Sequence, residues 1–213
     1  MNQFKHWCVF FLLISGCAAC TSVPVHYYSL VAPEGPQVPA VTRTTIAIDV
    51  RVVHMPALLT RSELIVRSGP TEVTLLENEQ WASPLSDEIR DAVRVELQNR
   101  SAQTTDSAPG RPFAKLSVAI DIERLETELG RYALIEATWT ASSATDALNK
   151  LIVKSCPFRD YEAIGGGYTE IVRGYQRELK ALADTIILAL VSTSDDRAPC
   201  QKLATQENNK GIS

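Results

Sequence analysis

Apolar and polar side chains alternate over several stretches of this chain. From Thr44 to Val53, Ile46, Ile48, Val50 and Val52 recur at every second position, the spacing that gives an extended strand one face for a core and one for water. Two longer alternating stretches, Ala114 to Glu126 and Arg131 to Ala141, are joined at Leu129-Gly130 and read as paired antiparallel strands. Glu63 to Arg67 and Glu72 to Leu76 flank Ser68-Gly69-Pro70-Thr71 and predict a hairpin. Tyr27-Tyr28-Ser29-Leu30 reads as a short strand, ended by a loop at Pro33, Gly35, Pro36 and Pro39, because proline fixes φ and removes a backbone donor. Leu151-Ile152-Val153 opens a last strand, extending past Cys156-Pro157-Phe158 toward Tyr161.

In two places the period changes to that of a helix. Leu85, Ile89, Val93 and Leu97 stand four apart with Ala92 and Glu96 alongside, predicting a helix from Pro84 to about Gln98 with an apolar stripe toward the sheet. Ser83 suits its cap, Pro84 its first position, and Asp87 and Glu88 the positive end of its dipole. After Gly165-Gly166-Gly167, the residues Ile171, Tyr175, Leu179, Leu182, Ile186 and Leu190 repeat at three or four, widened by Val172, Ala183 and Ile187, and predict a second helix from Tyr168 to about Val191. Strands outnumber helices, which argues an α+β fold: a mostly antiparallel sheet with two main amphipathic helices packed on one face. Residues 27–191 then form a single domain, and 192–213 a polar, flexible tail.

The first twenty residues follow another logic. Lys5 and His6 precede an uncharged run from Trp7 to Ile14, then the small Ser15 and Gly16, then Cys17. This is a secretion signal, and it is shorter than the roughly 20 apolar residues a membrane-spanning helix needs. Ile14-Ser15-Gly16-Cys17 resembles the bacterial lipobox, in which small side chains seat the scissile bond and a cysteine sulfur takes the lipid. Residues 1–16 then form the signal peptide, Cys17 is acylated, and 17–26 are a lipidated tether. An ordinary signal ending near Ala19 accounts for Gly16 and Ala18 but leaves the cysteine to chance, and cleavage before Cys20 would put Cys17 in the aliphatic position. Acylation also takes one thiol from the C-x-x-C formed by Cys17 and Cys20. A buried acyl methylene is worth about 0.8 kcal/mol, so three chains hold a protein on a bilayer where one does so only marginally. Ala18 stands where an aspartate would retain a lipoprotein at the inner membrane, which reads as outer-membrane sorting.

The chain has 213 residues, 45% hydrophobic and 22% charged, enough for one ordinary globular core. Its net charge of -4, or -5 once Lys5 leaves with the signal, provides no surplus to neutralise a phosphate backbone, so nucleic acid is not expected as a partner. Cys156 and Cys200 reach an oxidising compartment and are candidates for a disulfide, worth about 3 to 4 kcal/mol in the chain-entropy model. Cys20 competes as a partner, and unpaired thiols are the other outcome. His26 and His54 stand outside any zinc-ligand spacing, no G-x-S-x-G elbow occurs, and the triple glycine lacks the Lys-Ser/Thr of a phosphate-binding loop. Asp121 and Glu123 share a strand face and read as solvated carboxylates before they read as a catalytic pair. No catalytic residue, metal or cofactor is assigned. Trp81 reads as a core anchor before the helix or as an aromatic contact for a partner.

The lipobox at Cys17, then Tyr27-Tyr28-Ser29-Leu30, then Asn78-Glu79-Gln80-Trp81-Ala82-Ser83-Pro84-Leu85 leading into a helix, resemble the PqiC (YmbA) family of ABC-type transport auxiliary lipoproteins along nearly the whole chain. The resemblance implies an outer-membrane lipoprotein facing the periplasm, of a system in which a periplasm-spanning MCE-domain protein and an inner-membrane transporter component carry lipids and support membrane integrity. It implies a non-enzymatic docking role, as a homo-oligomeric ring that receives the tip of the periplasmic tube. Tyr28, Leu30 and Trp81 are the partner-binding candidates, because they carry the resemblance; the competing reading is that they hold the first strand and helix together. A carrier of single lipids, with a cavity between sheet and helices, is the alternative function.

Overall fold

The computed structural model describes residues 23–32, 47–105, 115–144 and 151–191. The signal peptide, Cys17, Cys20, Cys200, the proline loop at 33–39 and the tail at 192–213 lie outside the described residues. In chain order the elements are β1 (His26–Tyr28), β2 (Ala47–His54), a 3-10 turn (Ala57–Thr60), β3 (Glu63–Arg67), β4 (Val73–Trp81), α1 (Leu85–Thr105), β5 (Lys115–Glu128), β6 (Tyr132–Ala144), β7 (Leu151–Ala163) and α2 (Tyr168–Val191).

The class is the expected α+β, but the strands divide into two sheets. One has the order β2-β5-β6-β7 and the other β1-β4-β3. The pairs β3/β4, β5/β6 and β6/β7 are antiparallel, whereas β1/β4 and β2/β5 are parallel. A parallel pair needs a crossover, and between β2 and β5 it is made by the β3-β4 hairpin and α1. The β5-β6 turn closes at Gly130, whose φ of 76° is a left-handed conformation that a residue without Cβ takes at no steric cost.

Alternation in the longer sheet gives it one buried face. Leu116, Val118, Ile120 and Ile122 on β5 and Ala133, Ile135, Ala137, Trp139 and Ala141 on β6 are buried, and both helices lie over them. The stripe Leu85, Ile89, Val93 and Leu97 of α1 is buried, as is the stripe from Ile171 to Leu190 of α2. The two helices run parallel, since Ser29, which bonds Glu88 near the start of α1, also bonds Gln176 near the start of α2, and Arg100 further along α1 reaches Asp184 further along α2. That ion pair, with Arg100 also bonded to Glu96 at 2.7 Å, lies beyond Leu97, where the apolar period ends, and α1 continues to Thr105. Helix α2 approaches the sheet closely at Gly174, where a Cβ would stand 2.7 Å from Ile164 Cγ2 and 3.0 Å from the Ala133 Cβ. A larger residue there would push helix and sheet apart.

The two sheets are tied by Arg67 on β3, which donates to Glu126 on β5; Arg124 donates to the same carboxylate at 2.8 Å and Tyr132 joins it. Arg67 above all holds the Glu126 carboxyl down at about 2.

Glu178 is the opposite case. It is fully buried where α2 covers β6 and β7, and neither carboxyl oxygen meets a partner at hydrogen-bonding geometry among the described residues. Burial, with Asp160 and Glu162 adding negative charge from β7, raises its carboxyl from 4.5 to about 9, and the Ile135 backbone and Arg177 only moderate this. The folded chain therefore keeps a proton that the unfolded chain releases above 4.5, and stability falls as pH rises from about 4.5 to about 9. Glu178→Gln, which carries no proton to lose, is expected to raise stability by roughly 2 kcal/mol or more at pH 8 and to change it little at pH 4. Urea unfolding at the two pH values checks this, and an equal effect at both would refute the assignment.

Candidate functional site at the junction of tether and domain

The segment that leaves Cys17 joins the domain at β1, a three-residue edge strand paired with the end of β4 through His26↔Glu79, Tyr27↔Gln80 and Tyr28↔Trp81. Three ladder pairs are a weak hold by themselves, and side chains on the inner face supply the rest. Tyr28 donates its hydroxyl to Glu79 Oε2 at 2.6 Å, and His26 Nδ1 lies 3.0 Å from Glu79 Oε1. Burial works to raise the Glu79 carboxyl, yet the bonds from Tyr28 and His26 hold it below the usual carboxylate range. The Tyr28 hydroxyl is pushed up to about 12, by burial first and by Glu79 next.

The chain after β1 is held by a second carboxylate. Glu88, in the first turn of α1 and 5% exposed, accepts from the Ser29 hydroxyl at 2.7 Å, the Leu30 backbone N–H at 2.8 Å and the Ser83 hydroxyl at 2.7 Å. Ser83 thus serves the Glu88 side chain, and the helix opens one residue later than expected: Pro84 supplies the carbonyl that accepts from the Glu88 N–H. Ala82 N–H donates to the Tyr28 carbonyl at 2.8 Å, and Gln176 of α2 reaches the Ser29 carbonyl at 3.4 Å. Leu30 is buried beneath this network. Trp81, also buried, lies with its ring centroid 6.4 Å from that of Tyr175 on α2, whose hydroxyl takes a bond from Thr127 of β5 at 2.6 Å.

The structure therefore brings Tyr28, Leu30 and Trp81 together, as a clamp that holds the first strand to both helices. Sequence reasoning missed Glu79 and Tyr175 as members and read Glu88 only as a dipole partner. The signals were present: Glu79 is two residues before Trp81 on the same strand face, and Glu88 is one helical turn before Ala92 on the flank of the apolar stripe. The remaining candidates lie elsewhere. Cys156 is buried on β7, opposite Trp139 in the ladder, and is disulfide-bonded to a cysteine outside the described residues. Asp121 is paired in regular register with Thr138, whereas Glu123 sits at a register shift between Ile122 and Arg124 and accepts a bond from Thr138. His54 ends β2 and is exposed.

Two small crevices adjoin the clamp. One, lined by Leu59, Leu64, Trp81, Leu85, Leu125 and Tyr175, holds about 10 Å³, and the other, between the helices at Leu30, Ala92, Val95, Gln176 and Leu179, about 20 Å³. Either has space on the order of one water molecule. No helix among the described residues is long and apolar enough to cross a membrane.

A family model described as "ABC-type transport auxiliary lipoprotein component" matches residues 28–187, a span that opens inside the clamp at Tyr28 and closes within α2. A solved structure of an uncharacterized protein has the same fold at a TM-score of 0.53 and 17% identity, covering 77% of this chain and 97% of that one. A protein from Xanthomonas campestris, of the DUF330 family, is similar at a TM-score of 0.48 and 15% identity over 88% of this chain and 100% of its own. No curated protein matches.

Glu88→Ala removes the one acceptor shared by Ser29, Leu30 and Ser83 and leaves a buried N–H unpaired, so it is expected to cost about 2–4 kcal/mol. Amide exchange at Leu30 should accelerate by more than exchange in β5 and β6, and equal acceleration throughout would show that Glu88 supports the domain in general and no clamp in particular.

Proposed function

Because the chain belongs to the family of ABC-type transport auxiliary lipoprotein components, we propose that it is the outer-membrane lipoprotein of an MCE-type lipid transport system and docks the periplasmic tube of the transporter to that membrane. The observation that carries this reading is the clamp. The segment leading from the lipobox cysteine is bound by two buried carboxylates to the domain's core, as a domain held at a fixed height requires.

In this reading Cys17 carries the acyl chains, a ring of identical copies receives the tip of an MCE-domain protein fed by an inner-membrane component, and the work is docking with no bond made or broken. Tyr28, Leu30 and Trp81 serve the partner indirectly, by fixing how the domain stands on its tether, since Leu30 and Trp81 are themselves buried. The alternative, a carrier of single lipids, asks for a cavity the size of an acyl chain, far beyond the two crevices at the clamp.

Cys17→Ala is expected to abolish acylation and remove the protein from the outer-membrane fraction, and Ala18→Asp to redirect it to the inner membrane; mass spectrometry of the amino-terminal peptide and membrane fractionation read both. A mature chain without acyl groups, in the soluble periplasmic fraction, would overturn the anchor. Detergent extracts of the wild type should also retain an MCE-domain protein on the tagged chain, and its absence under crosslinking would overturn the docking role.

We propose Cys200 as the disulfide partner of Cys156. Peptide mapping without reductant is expected to join the β7 peptide to the tail; a bridge from Cys156 to Cys20 would replace this pairing.

A further inference from the structure

The segment that enters the clamp presents a second face. Val23, Val25 and Tyr27 stand at alternate positions and are 64%, 40% and 65% exposed, while Tyr28 turns inward to Glu79 and His26 bonds the same carboxylate with its own side chain 57% exposed. An edge strand that faces only water carries polar side chains on its outer face. Here the alternate positions Val23, Val25 and Tyr27 are apolar or aromatic, and the ladder neighbour of Tyr27 is the uncharged Gln80. Pro24 lacks an N–H, so the stretch before β1 presents one donor fewer to solvent. Leu58 and Leu129, also exposed, belong to the same end of the domain: Leu58 adjoins Leu59, which lines a crevice with Trp81, and Leu129 stands two residues after Thr127, which bonds Tyr175.

We propose that this face lies in the headgroup region of the bilayer that holds the acyl chains, so that Val23, Val25 and Tyr27 form a second, non-covalent membrane contact beside the lipid anchor. The proposal rests on acylation of Cys17. The length of chain outside the described residues selects the occupant. Six residue-to-residue steps lead from Cys17 to Val23, and at about 3.5 Å each the span is about 21 Å at full extension. The clamp fixes the other end. A face held this near the leaflet, carrying valines and a tyrosine, has the chemistry of an interfacial contact, where aromatic rings with one polar end concentrate. The mature chain is acidic, so attraction to anionic phosphates does not supply the contact, and apolar burial must.

The test uses the full acylated protein in vesicles of phosphatidylethanolamine and phosphatidylglycerol, with plain chains or chains brominated near their carbonyl ends. Tyr27→Trp places an indole on this face, and Ser155→Trp places one on the exposed face of β7 as a reference. Bromine should reduce the emission added by Tyr27→Trp at least about twofold and leave that of Ser155→Trp unchanged. On the unaltered chain in the same vesicles, hydroxyl radicals should modify Tyr27 at least about threefold less than Tyr161, although the two are similarly exposed at 65% and 56%. Flotation with the vesicles but no bromine quenching would overturn this contact while leaving the anchor in place, and if Tyr27 were then still protected from radicals, a second copy of the chain would be its occupant. Failure to float would overturn the anchor and the contact with it.

Discussion

A carboxylate removed from water stays there only if donors replace the water it gave up. Glu88 meets that condition with groups from two separate stretches of chain, the exit of β1 and the residue before Pro84. Glu79 meets it with Tyr28 and His26. Each carboxylate is therefore satisfied only when the amino-terminal segment is in place, and the segment, with three ladder pairs of its own, stays in place only because the carboxylates are there. The tie is mutual, and it makes the tether part of the domain.

What lies beneath the tie is ordinary in composition but constrained in space. Two parallel helices close one face of the longer sheet, and α2 can come down on that sheet because Gly174 has no side chain. On the outer face of β6 and β7, Thr138 bonds Glu123, Thr140 bonds Ser155 and Arg159 pairs with Glu136, with Val153 and Tyr161 exposed beside them. The shorter sheet has no helix of its own to lie beneath. It attaches at both of its ends, through Arg67, opposite Val73, to Glu126 and through Trp81, at the Glu63 end, to Tyr175, and the loss of β1 would leave β4 an open edge beside the helix start.

Much of this was legible in the sequence because it is local. The alternation of Leu116, Val118, Ile120 and Ile122 and the period from Ile171 to Leu190 each identify an element without knowledge of any other, and α2 has the bounds its pattern predicts. The division into two sheets was not legible, since parallel pairing of β2 with β5 and of β1 with β4 joins strands far apart in the chain and leaves no mark on either. Nor was the extension of α1 to Thr105, a stretch beyond the apolar period in which Arg100 meets Asp184 of the other helix. Glu178 was readable in principle: it stands three residues after Tyr175 and four before Leu182, within the apolar stripe, where an acid conflicts with its surroundings. At the clamp, the motif residues were found because they are aromatic or apolar, while the carboxylates that organise them passed as surface charges.

The direction of the helices gives the domain two unlike ends. At one, α1 and α2 both begin, β1 is clamped and the β5-β6 turn closes; this is the end that the proposed lipid anchor would hold near the bilayer. At the other, Thr105, Ala144, Leu151 and Val191 mark where the described chain stops or resumes, about 30 Å away along helices that rise about 1.5 Å per residue. On the proposed reading, with the first end turned to the bilayer, a partner spanning the periplasm would approach from this second end or from the outer face of the longer sheet, because the inner face of the sheet is filled by the helices. Transmission of load from such a partner to the membrane would then follow the long axis of the helices to Glu88 and Tyr175, and leave the domain through Leu30, Tyr28 and the tether. On this path the clamp is the narrowest link, which is a physical reason for residues of the Tyr-Tyr-Ser-Leu and Trp-Ala-Ser-Pro-Leu stretches to be spent on holding one strand in place.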